Sequence, residues 1–270
     1  MAPSRGWVRS PLGVALAVLI FVAACAPAIA STEEPNADGD LTVFAAASLR
    51  DVFVALEQAW EAQHPGSALT IAHDGSNILA AQIGEGAQVD VFASADLERP
   101  RQLAAAGLTY GDVVPFAMNR VTLVTPTGTG PVGDAADLAL PGLRIVAAGP
   151  SVPITHYADE ALAQLAATMT DADAFAAAVA ANVVSREDNV RAALAKVELG
   201  EGDAAFVYRT DARSSDRVRE IALPASVDVE AVYAAVPVSE RSLAKEFLAW
   251  LAGPQAAEIL DAAGFEVPGP

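Results

Sequence analysis

From Leu41 onward, short apolar runs alternate with segments whose apolar residues recur at helical spacing. That alternation restricts the fold more than any other feature of the chain. Residues 41–46, 68–72 and 90–94 read as buried strands. Leu49, Val52, Phe53, Leu56 and Trp60 follow the first at helical spacing, Leu79 and Ile83 follow the second, and 97–106 follows the third. The pattern restarts with strands at 120–125 and 143–147 and helical segments that open at Pro153 and near Ser185. Strands at 204–208, 219–223 and 230–236 and helices at 242–251 and 255–263 complete it. Such alternation implies mainly parallel sheets covered by helices. With crossings near 118–121 and 230–236, it predicts an α/β chain of two lobes. Residues 40–118 and 232–270 form the first lobe, and 119–231 the second.

Helix starts are the next constraint. Ala46-Ala47-Ser48-Leu49, Gly75-Ser76-Asn77, Val152-Pro153-Ile154 and the run 185–190 each open a helical pattern, and Tyr208 ends a strand-like run. Ser48 stands where an N-cap belongs, and Ser185 with Asp188 has the S-x-x-D form of a capping signal. The first N–H groups of a helix have no intrahelical acceptor, and they sit at the positive end of its dipole. Several such starts meeting at one point make a site for a small oxyanion. In open α/β sheets that point lies beyond the carboxyl ends of the strands. The candidate donors are therefore Ser48 and Ser76, through hydroxyl and backbone, and Ile154 and Val190, through backbone N–H, while Tyr208 stands at the end of a strand-like run. Taken singly, each serine reads as an ordinary cap.

Charge narrows the partners. The chain carries a net −18, which excludes nucleic acid as a ligand. An anion site in such a field must work through short, directed dipoles. His64, His73 and His156 share no metal-ligand spacing. A secreted serine hydrolase using Ser48 or Ser76 is the enzymatic alternative, but no G-x-S-x-G elbow is present. The sequence therefore reads as a binding protein rather than an enzyme, without a cofactor and monomeric.

The N-terminus reads as an address. Arg5 and Arg9 precede an apolar stretch over 12–22, too short for a membrane span, and Val22-Ala23-Ala24-Cys25 resembles a bacterial lipobox. Residues 1–24 then form a lipoprotein signal peptide. Cys25, the only cysteine, becomes the lipidated first residue, and 25–39 is a polar tether. Cleavage after Ala28-Ile29-Ala30 is the rival, giving a soluble protein.

Longer motifs extend the argument. They are Leu41-Thr42-Val43-Phe44-Ala45-Ala46-Ala47-Ser48-Leu49, Gly75-Ser76 with Leu79-Ala80-Ala81-Gln82-Ile83, and Asp90-Val91-Phe92-Ala93-Ser94-Ala95-Asp96. Val152-Pro153, Glu187-Asp188-Asn189-Val190-Arg191, Val207-Tyr208 with Asp211-Ala212, and Gly253-Pro254-Gln255 follow in order. Together they resemble the molybdate-binding proteins of bacterial ABC transporters over nearly the whole mature chain. The resemblance implies a type II-like periplasmic-binding fold with the anion held between two lobes by Ser48, Ser76, Ile154, Val190 and Tyr208. It also implies an extracytoplasmic location and delivery of molybdate, and tungstate with it, to an ABC permease. Sulfate or another tetrahedral oxyanion is the alternative ligand. Two segments leave the family pattern. Asn77-Ile78 stands where relatives carry Ser-Gly, and Ile154-Thr155 where they carry Ala-Gly. A β-branched Ile154 is expected to narrow the cleft.

Overall fold

Leu41–Ala46 (β1) runs into a single 3-10 turn and then Arg50–Gln63 (α1), the first of a series of strand–helix units. The computed structural model describes residues 39–268, so the expected signal peptide, Cys25 and the tether up to residue 38 lie outside the described residues. The first units continue with Leu69–Asp74 (β2), Ser76–Gly84 (α2), Val91–Ser94 (β3) and Glu98–Ala105 (α3). A long strand, Val114–Pro126 (β4), leads to Ile145–Ala148 (β5), Pro153–Ala166 (α4) and Ala172–Ala181 (α5). Val183–Glu187 (β6), Val190–Glu198 (α6), Ala205–Tyr208 (β7), Arg209–Arg213 (α7) and Val218–Ile221 (β8) follow. Glu230–Pro237 (β9), Ser242–Leu251 (α8) and Pro254–Ala262 (α9) end the fold.

Helical spacing and burial agree. The stripe Val52, Phe53, Leu56 and Trp60 of α1 is buried. Each such side chain contributes on the order of 1.5–3 kcal/mol of transfer free energy. Pro153 opens α4, where its missing N–H costs nothing.

The α/β class and the two sheets match the expectation, but the larger sheet is mixed, in the order β2-β1-β3-β9-β4-β7 with β8 also on β4. β1 pairs in parallel with β2 and β3, whereas β9 is antiparallel to both β3 and β4. The reason is the crossing. The chain leaves along β4 and comes back along β9, so the two pair in opposite directions. Residues 114–120 of β4 pair with β9, and 121–126 pair with β7 and β8. One continuous strand thus serves both halves of the molecule. The smaller sheet, β5 with β6, is parallel.

Two local expectations change. Ser48 is not an N-cap: it lies inside the 3-10 turn Ala47–Leu49, and Ala46 occupies the cap position without a side-chain bond. Ser185 does not open a helix either, because β6 pairing on β5 claims it. The cap of α6 is Asn189, whose Oδ1 accepts from Ala192 N at 3.0 Å.

Candidate functional site

Parallel pairing brings the helix starts together. Ala46 and Asp74 are register partners at the ends of β1 and β2, so the chain emerges side by side at Ser48 and Ser76. β3 lies on the other side of β1 and ends at Ser94, next to Ala95. In the second half Ala148 pairs with Glu187, so the segments leading to Ile154 and Val190 emerge together. A parallel bridge from Ile145 to Ala204 sets β7 beside them, with Tyr208 at its carboxyl end.

All five candidates line one small cavity of about 10 Å³, together with Ala47, Gly75, Ala95, Val152 and Asn189 among others. No charged side chain and no histidine borders it. Organic ligands need some 300 Å³ or more, so the space suits only a very small solute.

Each polar group there has a defined state. Ser76 Oγ accepts from Ala95 N at 3.1 Å, which leaves its own proton to be donated elsewhere. Ser48 Oγ is 2.9 Å from Tyr233 Oη. Nearby, Asn119 Nδ2 donates to Thr210 Oγ1 at 2.8 Å. Tyr208 is 1% exposed, and its hydroxyl has no hydrogen-bond partner among the described residues. Burial, with the neighbouring Tyr233 and Tyr157 hydroxyls, pushes the Tyr208 phenol well above its ordinary range. It therefore stays a neutral O–H donor at physiological pH. Ser76, Ile154 and Val190 occupy first-turn positions of α2, α4 and α6, where N–H groups have no i−4 acceptor. The cavity lining is therefore rich in donors.

Ile154 has a second neighbour. It also lines an apolar groove of about 330 Å³ between α4, α5 and β5. Ala158, Leu162 and Ala166 line the same groove at four-residue steps, so they share one face of α4 with Ile154. Ile154 thus borders both the small cavity and this groove.

Four contacts tie the two sides of the cavity. Asn189 Nδ2 donates to Asp74 Oδ1 at 3.0 Å, and Asn77 Nδ2 to Ser151 Oγ at 3.1 Å. Arg99 Nη2 donates to Ser151 O at 2.5 Å, and Arg191 Nη2 to Asp51 Oδ2 at 2.6 Å. Asn77, a departure from the family motif, is thereby engaged. The backbone of Gly75 abuts Asp188: a Cβ there would stand 2.6 Å from Asp188 O.

Asp90, Asp96 and Asp203 are each held by donors. Asp90 accepts from Thr42 N and Arg241, Asp96 from Arg99 N, and Asp203 from Arg144. Among the described residues no His/Cys/Asp/Glu group could hold a metal ion. Sequence reasoning missed Tyr233, Asn119 and the roles of Asn189 and Gly75. An Asn immediately before the apolar pattern of α6 was a usable signal; nothing local marks Tyr233.

The family model described as bacterial extracellular solute-binding protein matches residues 41–266. The chain belongs to this family. It is an extracytoplasmic solute-binding protein, not an enzyme. It is closely related to the molybdate-binding protein ModA of Mycobacterium tuberculosis, being 34% identical over 97% of this chain and 99% of that one. Among solved structures, the periplasmic molybdate-binding protein of Azotobacter vinelandii superposes with TM-score 0.71 at 26% identity, covering 85% of this chain and 100% of the other. The sulfate-binding protein SubI from Mycobacterium tuberculosis gives TM-score 0.73 at 20% identity, covering 86% and 88%. The solute-binding protein thus has the two-lobe type II periplasmic-binding fold, in which the mixed sheet and the small parallel sheet flank the cavity.

Proposed function

We propose that this solute-binding protein captures a small tetrahedral oxyanion, molybdate and with it tungstate, and hands it to an ABC permease. The observation that carries the reading is the convergence of Ser48, Ser76, Ile154, Val190 and Tyr208 on one cavity without a charged side chain. About seven donors face such an anion, and each hydrogen bond to a charged acceptor contributes roughly 1.5–3 kcal/mol. Neutral donors suit reversible capture, since a buried ion pair adds desolvation on both sides. Phosphate at neutral pH keeps a proton that a donor-only lining cannot accept. The molybdate-binding names of the relatives support the choice among fully ionised anions.

The lobes in this reading are 40–118 with 232–270, and 119–231. The first supplies Ser48 and Ser76, and the second Ile154, Val190 and Tyr208. A monomer lipidated at Cys25 and tethered by residues 25–39 carries the site at the outer face of the membrane. Mass spectrometry of the mature N-terminus tests the anchor, and a free N-terminus after Ala30 would overturn it.

Calorimetric titration with molybdate, tungstate, sulfate and phosphate tests the ligand. Molybdate and tungstate are expected to bind at least a hundredfold tighter than sulfate, and phosphate to give no heat. Tighter sulfate binding would install the alternative ligand, and silence with all four would defeat the oxyanion reading.

A further inference from the structure

Val190 and Ser76 sit on helices that start on opposite sides of the cavity, and a single side-chain bond spans the two starts. Asp74 Oδ1 accepts from Gly75 N at 2.7 Å, directly before α2, and from Asn189 Nδ2 at 3.0 Å. Asn189 uses its other atom, Oδ1, to cap α6 through Ala192 N. One carboxamide therefore both builds the helix start that presents Val190 and fastens it to the strand end that presents Ser76. Gly75 permits the approach, since any Cβ there would meet Asp188 O and the Asn77 side chain.

We propose that Asn189 is a positioning residue for anion retention. Its amide group latches the α6 start to Asp74, so that donors from both lobes stay on the anion at once. This rests on the oxyanion-binding reading above. Asn is fitted to the task because it offers an acceptor and a donor on one planar group. Asp caps a helix as well as Asn does, yet in place of Asn189 it would set a carboxylate against Asp74. The latch then predicts fast release, not a failed helix. Adding Asp74→Asn to Asn189→Asp removes the like charges from the gap and offers an amide donor to the new carboxylate.

The test compares the wild-type full-length chain with Asn189→Asp, Asp74→Asn and the double exchange, using stopped-flow association and release of molybdate. Asn189→Asp should release the anion at least tenfold faster with an unchanged melting temperature without anion, whereas Asp74→Asn, which keeps an acceptor oxygen for both donors, should release it within about threefold of the wild-type rate. The double exchange should release the anion more slowly than Asn189→Asp, since it removes the like-charge pair while leaving the new carboxylate at the cavity. Release at the wild-type rate in Asn189→Asp overturns the proposal, as does a double exchange that releases no more slowly than Asn189→Asp. If wild type binds none of molybdate, tungstate or sulfate, the function reading fails. The latch is then judged by small-angle scattering of the anion-free chains. A larger radius of gyration in Asn189→Asp than in wild type supports it, and equal radii overturn it.

Discussion

Ser48 Oγ and Tyr233 Oη meet at 2.9 Å in a buried pocket, joining residues that lie 185 positions apart in the chain. Tyr233 stands on β9, the returning strand, and Ser48 just beyond β1. If Tyr233 donates to Ser48, the serine proton is directed into the cavity, so the phenol sets the direction of an anion donor without touching the anion.

Tyr233→Phe removes that direction and leaves the buried Ser48 hydroxyl short of a partner. Stability should fall by about 1–2 kcal/mol, the cost of unpaired buried polar groups. Molybdate affinity should fall roughly fivefold to tenfold, on the order of 1 kcal/mol. Denaturant unfolding and calorimetry measure the two effects, and an unchanged Kd would remove Tyr233 from the site.

Tyr208→Phe should separate stability from binding. The Tyr208 hydroxyl is buried with no partner among the described residues, so deleting it should leave the anion-free protein as stable or slightly more stable. Anion affinity should drop by about 2 kcal/mol, roughly thirtyfold. A clear loss of anion-free melting temperature would contradict this account.

Ile154→Ala should show the opposite split. Ile154 is 2% exposed and lies along the apolar groove face of α4. Truncation should cost about 2–4 kcal/mol of stability. Its backbone N–H remains, so affinity for molybdate should stay within a factor of about two once the protein is folded. A large affinity change with little loss of stability would mean that the side chain, not the N–H, faces the anion.

Gly75 has φ −57° and ψ 134°, a backbone conformation open to any residue. Gly75→Ala should therefore fold with a normal melting temperature. The added Cβ should hold Asp188 away and weaken molybdate by at least tenfold, as read by calorimetry.

Asp211 gives a pH signature. It is fully buried, and burial raises its carboxyl from 3.8 to about 6 in spite of Arg191 Nε at 2.7 Å from its Oδ1. The folded state therefore binds the proton more tightly than the unfolded chain between those two values. The resulting stabilisation is complete below 3.8 and is lost as pH rises through about 6. Asp211→Asn should flatten the change in unfolding free energy between pH 4 and pH 6. An equally steep profile in the variant would assign it to other groups.

Much of this was legible in sequence because its causes are local. The stripe of α1, the Pro at the start of α4 and the strand runs of β1 and β3 follow from burial periodicity and backbone chemistry within a few residues. Ser48, Ser76, Ile154 and Val190 could be named for the same reason, since a helix start is a local property, whereas the Tyr208 hydroxyl entered with the family resemblance. What misled were motifs whose outcome depends on a remote partner. The S-x-x-D run at Ser185 reads as a cap, but pairing of β6 with β5 outbids a single side-chain bond. Ser48 looks like a cap, but its hydroxyl is taken by Tyr233.

The sequence alone therefore determined most of the order of strands and helices, with α5, β6 and α7 missed, together with the neutral character of the donors and the family to which the chain belongs. Tertiary structure decided which donors share a cavity, the antiparallel return of β9 along β4, and the Asp74–Asn189 and Ser48–Tyr233 contacts. The physical reason is range. Propensity, capping and dipoles act within a turn or two of the chain. The separations of 115 and 185 residues bridged by those two contacts are set only when packing has placed the strands that carry them.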